Sequence, residues 1–180
     1  MKNKLLRSRF MSFCIASSIS IFSLFSFFTI ESKAYTDGYI CSAPIVYGSN
    51  SYFVQSNIAR TNQFRNELSL PALTENAALD AIALERANDM IQNHYFGHYK
   101  NGIIMAFSID TKYGIEAHAE NIYYYYLQGP DSTDIGSHMA NGWRNSEGHY
   151  RNIINASYTQ IGVAMVLAPD GSWYGVQIFS

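Results

Sequence analysis

Cysteine is nearly missing from this chain of 180 residues, which has only Cys14 and Cys41. Cys14 follows the bulky Phe13, where lipid attachment would call for a small residue. Cys14 also falls in an N-terminal segment expected to be removed, so Cys41 remains alone and no intramolecular disulfide can form. None is needed, since the roughly 146 residues beyond that segment can bury a full core. Cys41 is expected to be an inert free thiol. Basic side chains are also scarce beyond residue 34, where seven Lys/Arg face thirteen Asp/Glu, a net charge of −6 with His neutral. No basic stripe is left to neutralise phosphates, which excludes nucleic acid as a partner. Electrostatic adhesion to an anionic membrane is excluded for the same reason. Internal repeats and low-complexity blocks are absent as well.

Long apolar runs are missing too, with one exception. Met11 to Ile30 is uncharged, follows the basic residues Lys2, Lys4, Arg7 and Arg9, and precedes Ser32-Lys33-Ala34. This is the layout of a secretory signal peptide, with cleavage expected after Ala34. Left uncleaved, the run of about 20 residues is long enough to anchor the chain in a bilayer. That is the only membrane association the sequence supports. The expected organisation is a signal peptide over 1–34, a lead-in over 35–50 and one domain over 51–180, secreted and monomeric.

Within the domain, Tyr52 to Leu68 has a helical pattern with Val54, Ile58 and Leu68 near one face. Pro71 interrupts it, because the residue before a proline is biased away from helix. A second helix is expected from a Thr74 cap, with Glu75 and Asn76 in its first turn. Its apolar stripe runs through Leu79, Ala83, Ala87 and Met90, widened by Ile82 and Ile91. Glu85, Arg86 and Asp89 are expected on the outer side. His94 to Gly102 reads as a loop with an Asn101-Gly102 turn, and 103–113 suits either a helix or a strand. Gly114 breaks the chain before Ala119 to Tyr126. A turn at Pro130 to Asp134 opens a further helix to about Ser146, with Ile135, Met139, Trp143 and Ser146 on one side. Two β-rich runs, 162–167 and 173–179, flank Pro169-Asp170-Gly171, a strong hairpin signal. Helices first and a hairpin last argue for an α+β domain with helices packed on an antiparallel sheet.

Three segments carry the chemistry: Phe96-Gly97-His98, Ala119-Glu120-Asn121-Ile122 and Trp143 to His149. The first two each place one ionisable side chain among small or apolar neighbours, and the third carries His149 beside Gly148, after Arg144 and Glu147. Brought together, His98, Glu120 and His149 would suit a divalent cation or proton transfer. Two histidines and a carboxylate with an open position match catalytic rather than structural zinc. Glu120 has a second reading, as a carboxylate that orients an imidazole.

The same segments carry a resemblance. Asn62-Gln63-Phe64-Arg65 before Leu73, Arg86-Ala87 with Asp89-Met90, Phe96-x-His98, and Glu120-Asn121-Ile122 come in order along the chain. Trp143-x-x-Ser146-x-Gly148-His149-x-x-Asn152-Ile153 follows, then Tyr158-Thr159-x-Ile161-Gly162-Val163. Together they resemble the CAP superfamily of cysteine-rich secretory, antigen 5 and pathogenesis-related 1 proteins, in its bacterial SCP-like form. The resemblance implies a three-layer α-β-α sandwich with a central antiparallel sheet. It also implies a cleft in which two histidines and two acids can hold zinc or another divalent ion. His98, His149 and Glu120 take three of those places. Ser146 stands where the family's W-x-x-E pattern has its second acid. Glu147 is next door, but a helix would turn it about 100° away.

Other candidates weigh less. Ser146 as a nucleophile with His149 as base lacks a Gly-x-Ser-x-Gly elbow and a legible oxyanion hole. His94, His118 and His138 have no counterpart in the pattern and read as surface or satisfied residues, although His118 shares strand parity with Glu120. The run Tyr123 to Tyr126 is expected to pack alternate rings inward. Asn155-Ala156-Ser157 is a glycosylation sequon that would matter only in a eukaryotic host. The function these features favour is a secreted binding protein whose His/Glu cleft takes an extracellular peptide, glycan or lipid through a divalent cation. The alternatives are a metal-dependent or acid–base hydrolase of peptide or cell-wall material, and a lipid or sterol carrier.

Overall fold

A computed structural model describes residues 45–126 and 133–180. The expected signal peptide, Cys41 and the turn residues Pro130 to Ser132 lie outside them.

The first helix, α1 (Ser51–Glu67), starts where Asn50 accepts a hydrogen bond from the Phe53 amide at 3.1 Å. It buries Val54, Ile58 and Phe64, together with the polar side chains of Asn57, Thr61 and Arg65. Among the described residues, Arg65 has no carboxylate partner. Its guanidinium donates instead to four carbonyls, those of Pro71, Ile153, Asn155 and Tyr158. One side chain thus ties the end of α1 to two later segments.

The second helix begins later than the sequence suggests. Thr74–Glu75 form a short strand, β1, whose flanking amides bond Thr159 and Ile161 carbonyls. Backbone committed to that pairing cannot enter a helix. The cap therefore falls to Asn76, which accepts from the amides of Ala78 and Leu79, and α2 runs Ala77–Gln92. Leu79, Ile82, Ala83, Ala87 and Met90 are fully buried, as the stripe predicts. Arg86 is fully buried too, against expectation, and its reason lies in the site below.

The ambiguous stretch 103–113 is both things in turn. Tyr99–Lys100 (β2) and Ile103–Ile104 (β3) pair across Asn101-Gly102, whose positive φ values of 53° and 79° make the turn. Helix α3 (Met105–Tyr113) follows and stops at Gly114, in the left-handed region at φ 68°. Strand β4 is Ala119–Tyr126. The helix expected to reach Ser146 divides. Helix α4 (Ile135–Arg144) is capped by Asp134, and the seven-residue α5 (Glu147–Ile153) restarts after Ser146, whose backbone is extended. The final hairpin is β5 (Gln160–Leu167) and β6 (Ser172–Phe179), turning at Gly171 with φ 86°.

The main sheet has the order β1-β5-β6-β4. Its three long strands are antiparallel, and only the two-residue β1 joins parallel, at the edge beside β5. Alternation along the strands feeds two apolar clusters. Ile161, Val163, Met165, Trp173 and Phe179 join α1, α4 and α5 residues such as Phe64, Met139, Trp143 and Ile153. Ala164, Val166, Tyr174, Val176 and Ile178 join α2 residues such as Leu79, Ile82 and Met90. The chain is thus α+β, with helices against the sheet as expected. At Gly162 the fit leaves no room for a side chain, since a Cβ there would meet the Leu79 carbonyl carbon of α2 at 2.1 Å.

Candidate functional site

Strand β4 lies at an edge of the sheet, so its successive residues face the two cores in turn. Glu120 shares its parity with Ile122, which packs in the α2 cluster, and Asn121 faces the other way. This alternation lets one strand hold two groups from opposite sides of the sheet.

On the α2 side, Glu120 is buried with both carboxylate oxygens engaged. Oε1 accepts from Arg86 Nε at 2.8 Å, and Oε2 lies 3.0 Å from His98 Nδ1. A carboxylate can only accept, so Nδ1 carries the proton of that bond and Nε2 is the ring nitrogen left for a ligand. Arg86 reaches further. Nη2 donates to the Gly97 carbonyl and Nη1 to the Tyr95 hydroxyl, each at 2.8 Å, and Nη1 lies 3.4 Å from Asp89. Asp89 accepts from Tyr95 Oη and, at 2.7 Å, from Lys100 Nζ. Burial, then the hydrogen bond to Asp89, pushes the Tyr95 hydroxyl up to about 12.

On the other side, Asn121 donates to the His149 carbonyl at 3.2 Å and to Gln177 Oε1 at 3.0 Å, and accepts from Asn152 Nδ2 at 2.8 Å. Gln177 in turn donates to Asn57 and Thr61 of α1. This buried chain of amides fixes α5, and with it His149, against β4. Trp143 adds a bond at the strand's outer edge, its indole N–H donating to the Ile122 carbonyl at 2.9 Å. The outcome is that His98, from the loop after α2, and His149, from α5, meet with ring centroids 6.2 Å apart and planes tilted by 49°. Burial, then the neighbouring charge of His98, lowers the His149 pKa below the usual histidine value.

The remaining candidates take other places. Ser146 stands at the start of α5 and its side chain makes no capping bond. Glu147 is exposed and pairs with Arg151 one helical turn on, so it does not turn back to Ser146's place. His118 stacks on Tyr158, His138 packs against Tyr125 at 4.3 Å, and His94 is exposed. Tyr123 and Tyr125 pack inward while Tyr124 and Tyr126 are exposed, as the alternation predicts. Among the described residues, no group of three or more His, Cys, Asp and Glu side chains is arranged to hold a metal ion. None of the described helices is long and apolar enough to cross a membrane. A separate groove of about 450 Å³ is lined by Tyr47, Ile91, His94, Asp170 and Tyr174, and none of His98, Glu120 and His149 reaches it.

Arg86 is the site residue that sequence reasoning misplaced. Its spacing held the signal, since it lies four residues after Ile82 and four before Met90, both fully buried. Its charge argued for the outer face, and the buried Glu120 outweighed that argument.

Comparison with known proteins agrees with this architecture. The chain is 30% identical over 127 residues to the uncharacterized protein YkwD of Bacillus subtilis (strain 168), covering 69% of this chain and 46% of that protein. It spans less than half the length of the curated relatives it matches. Among solved structures, it is similar to an outer surface protein of Borrelia burgdorferi, with 19% identity and a TM-score of 0.59, over 72% of this chain and 92% of that one. An SCP-domain extracellular protein from Bacillus anthracis shares 23% identity with a TM-score of 0.55, over 71% of this chain and 40% of that one. These likenesses show the fold. The model of the cysteine-rich secretory protein family, CAP, matches residues 58–179, two thirds of the sequence, and the chain belongs to that family.

Proposed function

We propose that the chain is an extracellular binding protein whose cleft holds its ligand through His98 and His149, with a divalent cation shared between the two imidazoles. The observation that carries this is their convergence from separate elements to 6.2 Å between ring centroids, with His98 bound to Glu120 through Nδ1. Two histidines sharing one zinc at about 2.0–2.1 Å per Zn–N bond would have centroids roughly 5–6 Å apart. The pair therefore fits after a small closure. In this reading Glu120 orients His98 and leaves the cation to the imidazoles, which its bonds to Arg86 and His98, one on each oxygen, support. A cation would thus have two protein donors, and its other positions would be open to water and to oxygen or nitrogen atoms of a ligand. The lowered pKa of His149 supports this reading, because an imidazole must be neutral to donate its lone pair.

Titration of the protein with zinc in a calorimeter tests the proposal. One site is expected, weakened at least tenfold in His98→Ala and in His149→Ala, and weakened in acid, where imidazoles protonate and lose the lone pair that binds metal. Wild-type affinity in both variants would refute it. That the solved relatives include an outer surface protein and an extracellular protein supports an extracellular setting, as does the signal-peptide layout of residues 1–34. N-terminal sequencing of secreted material beginning at Tyr35 checks that directly.

A further inference from the structure

We propose that Arg86 is the positioning residue of this cleft: its guanidinium seats Glu120 and the His98 loop against each other, so that His98 meets Glu120 through Nδ1 and offers Nε2 to a ligand. This rests on the reading of His98 as a ligand-facing group.

The argument is geometric. Arg86 lies on α2, between the strand that carries Glu120 and the loop that carries His98. Its Nε holds Glu120 Oε1 and its Nη2 holds the carbonyl of Gly97, the residue before His98, both at 2.8 Å. The spacing between strand and loop is therefore set across one rigid plane. The far edge of the plane is braced by Tyr95 Oη at 2.8 Å and by Asp89 at 3.4 Å. Asp89 is itself held by Lys100 and Asn93. Removing the plane frees Glu120 to rotate and the loop to shift, and each change breaks the His98–Glu120 contact. Lysine has the charge without the planar fork, so it cannot replace both bonds. A plain core ion pair would need only Glu120; the Gly97 bond is what links Arg86 to the histidine's position.

The tautomer of His98 reads this out. In ¹⁵N-labelled protein at pH 8, with the signal assigned by loss in His98→Gln, the wild type is expected to carry its ring proton on Nδ1. In Arg86→Lys and in Glu120→Ala alike the proton is expected to redistribute to Nε2, and in Arg86→Lys zinc affinity is expected to drop about tenfold, the lower end for a group that orients a ligand. Folded Arg86→Lys protein with His98 still protonated on Nδ1 would overturn the proposal. Should the variant not fold, the wild type decides. Resolved, slowly exchanging Nε and Nη protons of Arg86 support the clamp, and a freely rotating guanidinium overturns it. Failure of the functional reading would look different: a wild type that binds no zinc although its His98 tautomer is held.

Discussion

Replacing Gly162 with alanine tests how α2, which carries Arg86, is seated on the sheet. The added Cβ would lie 2.1 Å from the Leu79 carbonyl carbon, 2.3 Å from the Asp80 nitrogen and 2.4 Å from Leu79 Cβ. Ordinary carbon contacts lie near 3.5–4.0 Å, so the helix must retreat by roughly 1 Å or more. The obstacles are backbone and Cβ atoms, and no rotamer change relieves them. Overpacking a core costs about 1–3 kcal/mol, and backbone obstacles place this case near 3 kcal/mol. The retreat also stretches the neighbouring bond from the Val163 amide to Asp80 Oδ1, now 2.8 Å. For a domain of this size the expected drop in Tm is about 10 °C. Thermal and urea melts followed by circular dichroism measure it. Gly148→Ala serves as control, because a Cβ there meets nothing within 4 Å and it lies within α5. A Gly162→Ala midpoint within about 2 °C of wild type would show that α2 does not rest on β5 in the way described.

Two further outcomes follow from buried polar groups. Burial raises the Asp80 carboxyl to about 6, although the Val163 amide opposes the shift. Because the folded value lies above the unfolded one, the folded state holds this proton more tightly, and stability is lost as pH rises from about 4 through 6. Asp80→Asn keeps an acceptor for Val163 and is expected to be more stable than wild type at pH 7 by about 1 kcal/mol, discounted for solvent screening. The gain should vanish below pH 4; a gain that does not change with pH would contradict the assignment. Trp143→Phe leaves the Ile122 carbonyl without its indole donor in a fully buried site, with an expected cost of roughly 2–4 kcal/mol. A urea midpoint like that of wild type would mean that water or another donor replaces the indole.

Much of the fold was legible because local pattern and tertiary packing agree there. The α2 stripe, the Asp170-Gly171 hairpin and the alternation of Tyr123 to Tyr126 each obey a period that the chain carries in its own residues. The departures occur where distant backbone intervenes. Thr74 looked like a helix cap, and pairing with β5 drew it into a strand and passed the cap to Asn76. The helix expected to reach Ser146 ends at Arg144, and α5 restarts after it with a direction that Asn121 and Gln177 hold.

The sequence by itself determined the α+β class, the family, the candidates His98, Glu120 and His149, and the substitution of Ser146 for the usual acid. These depend on residue identity and order, which need no coordinates. Tertiary structure decided which of the candidates meet, which nitrogen of His98 is free, and that Glu120 is shared with Arg86. Those facts depend on an edge strand that presents neighbouring residues to opposite faces, and on partners 34 and 22 residues from Glu120 along the chain. A guanidinium on a helical stripe looks misplaced until a carboxylate on another element is brought 2.8 Å away.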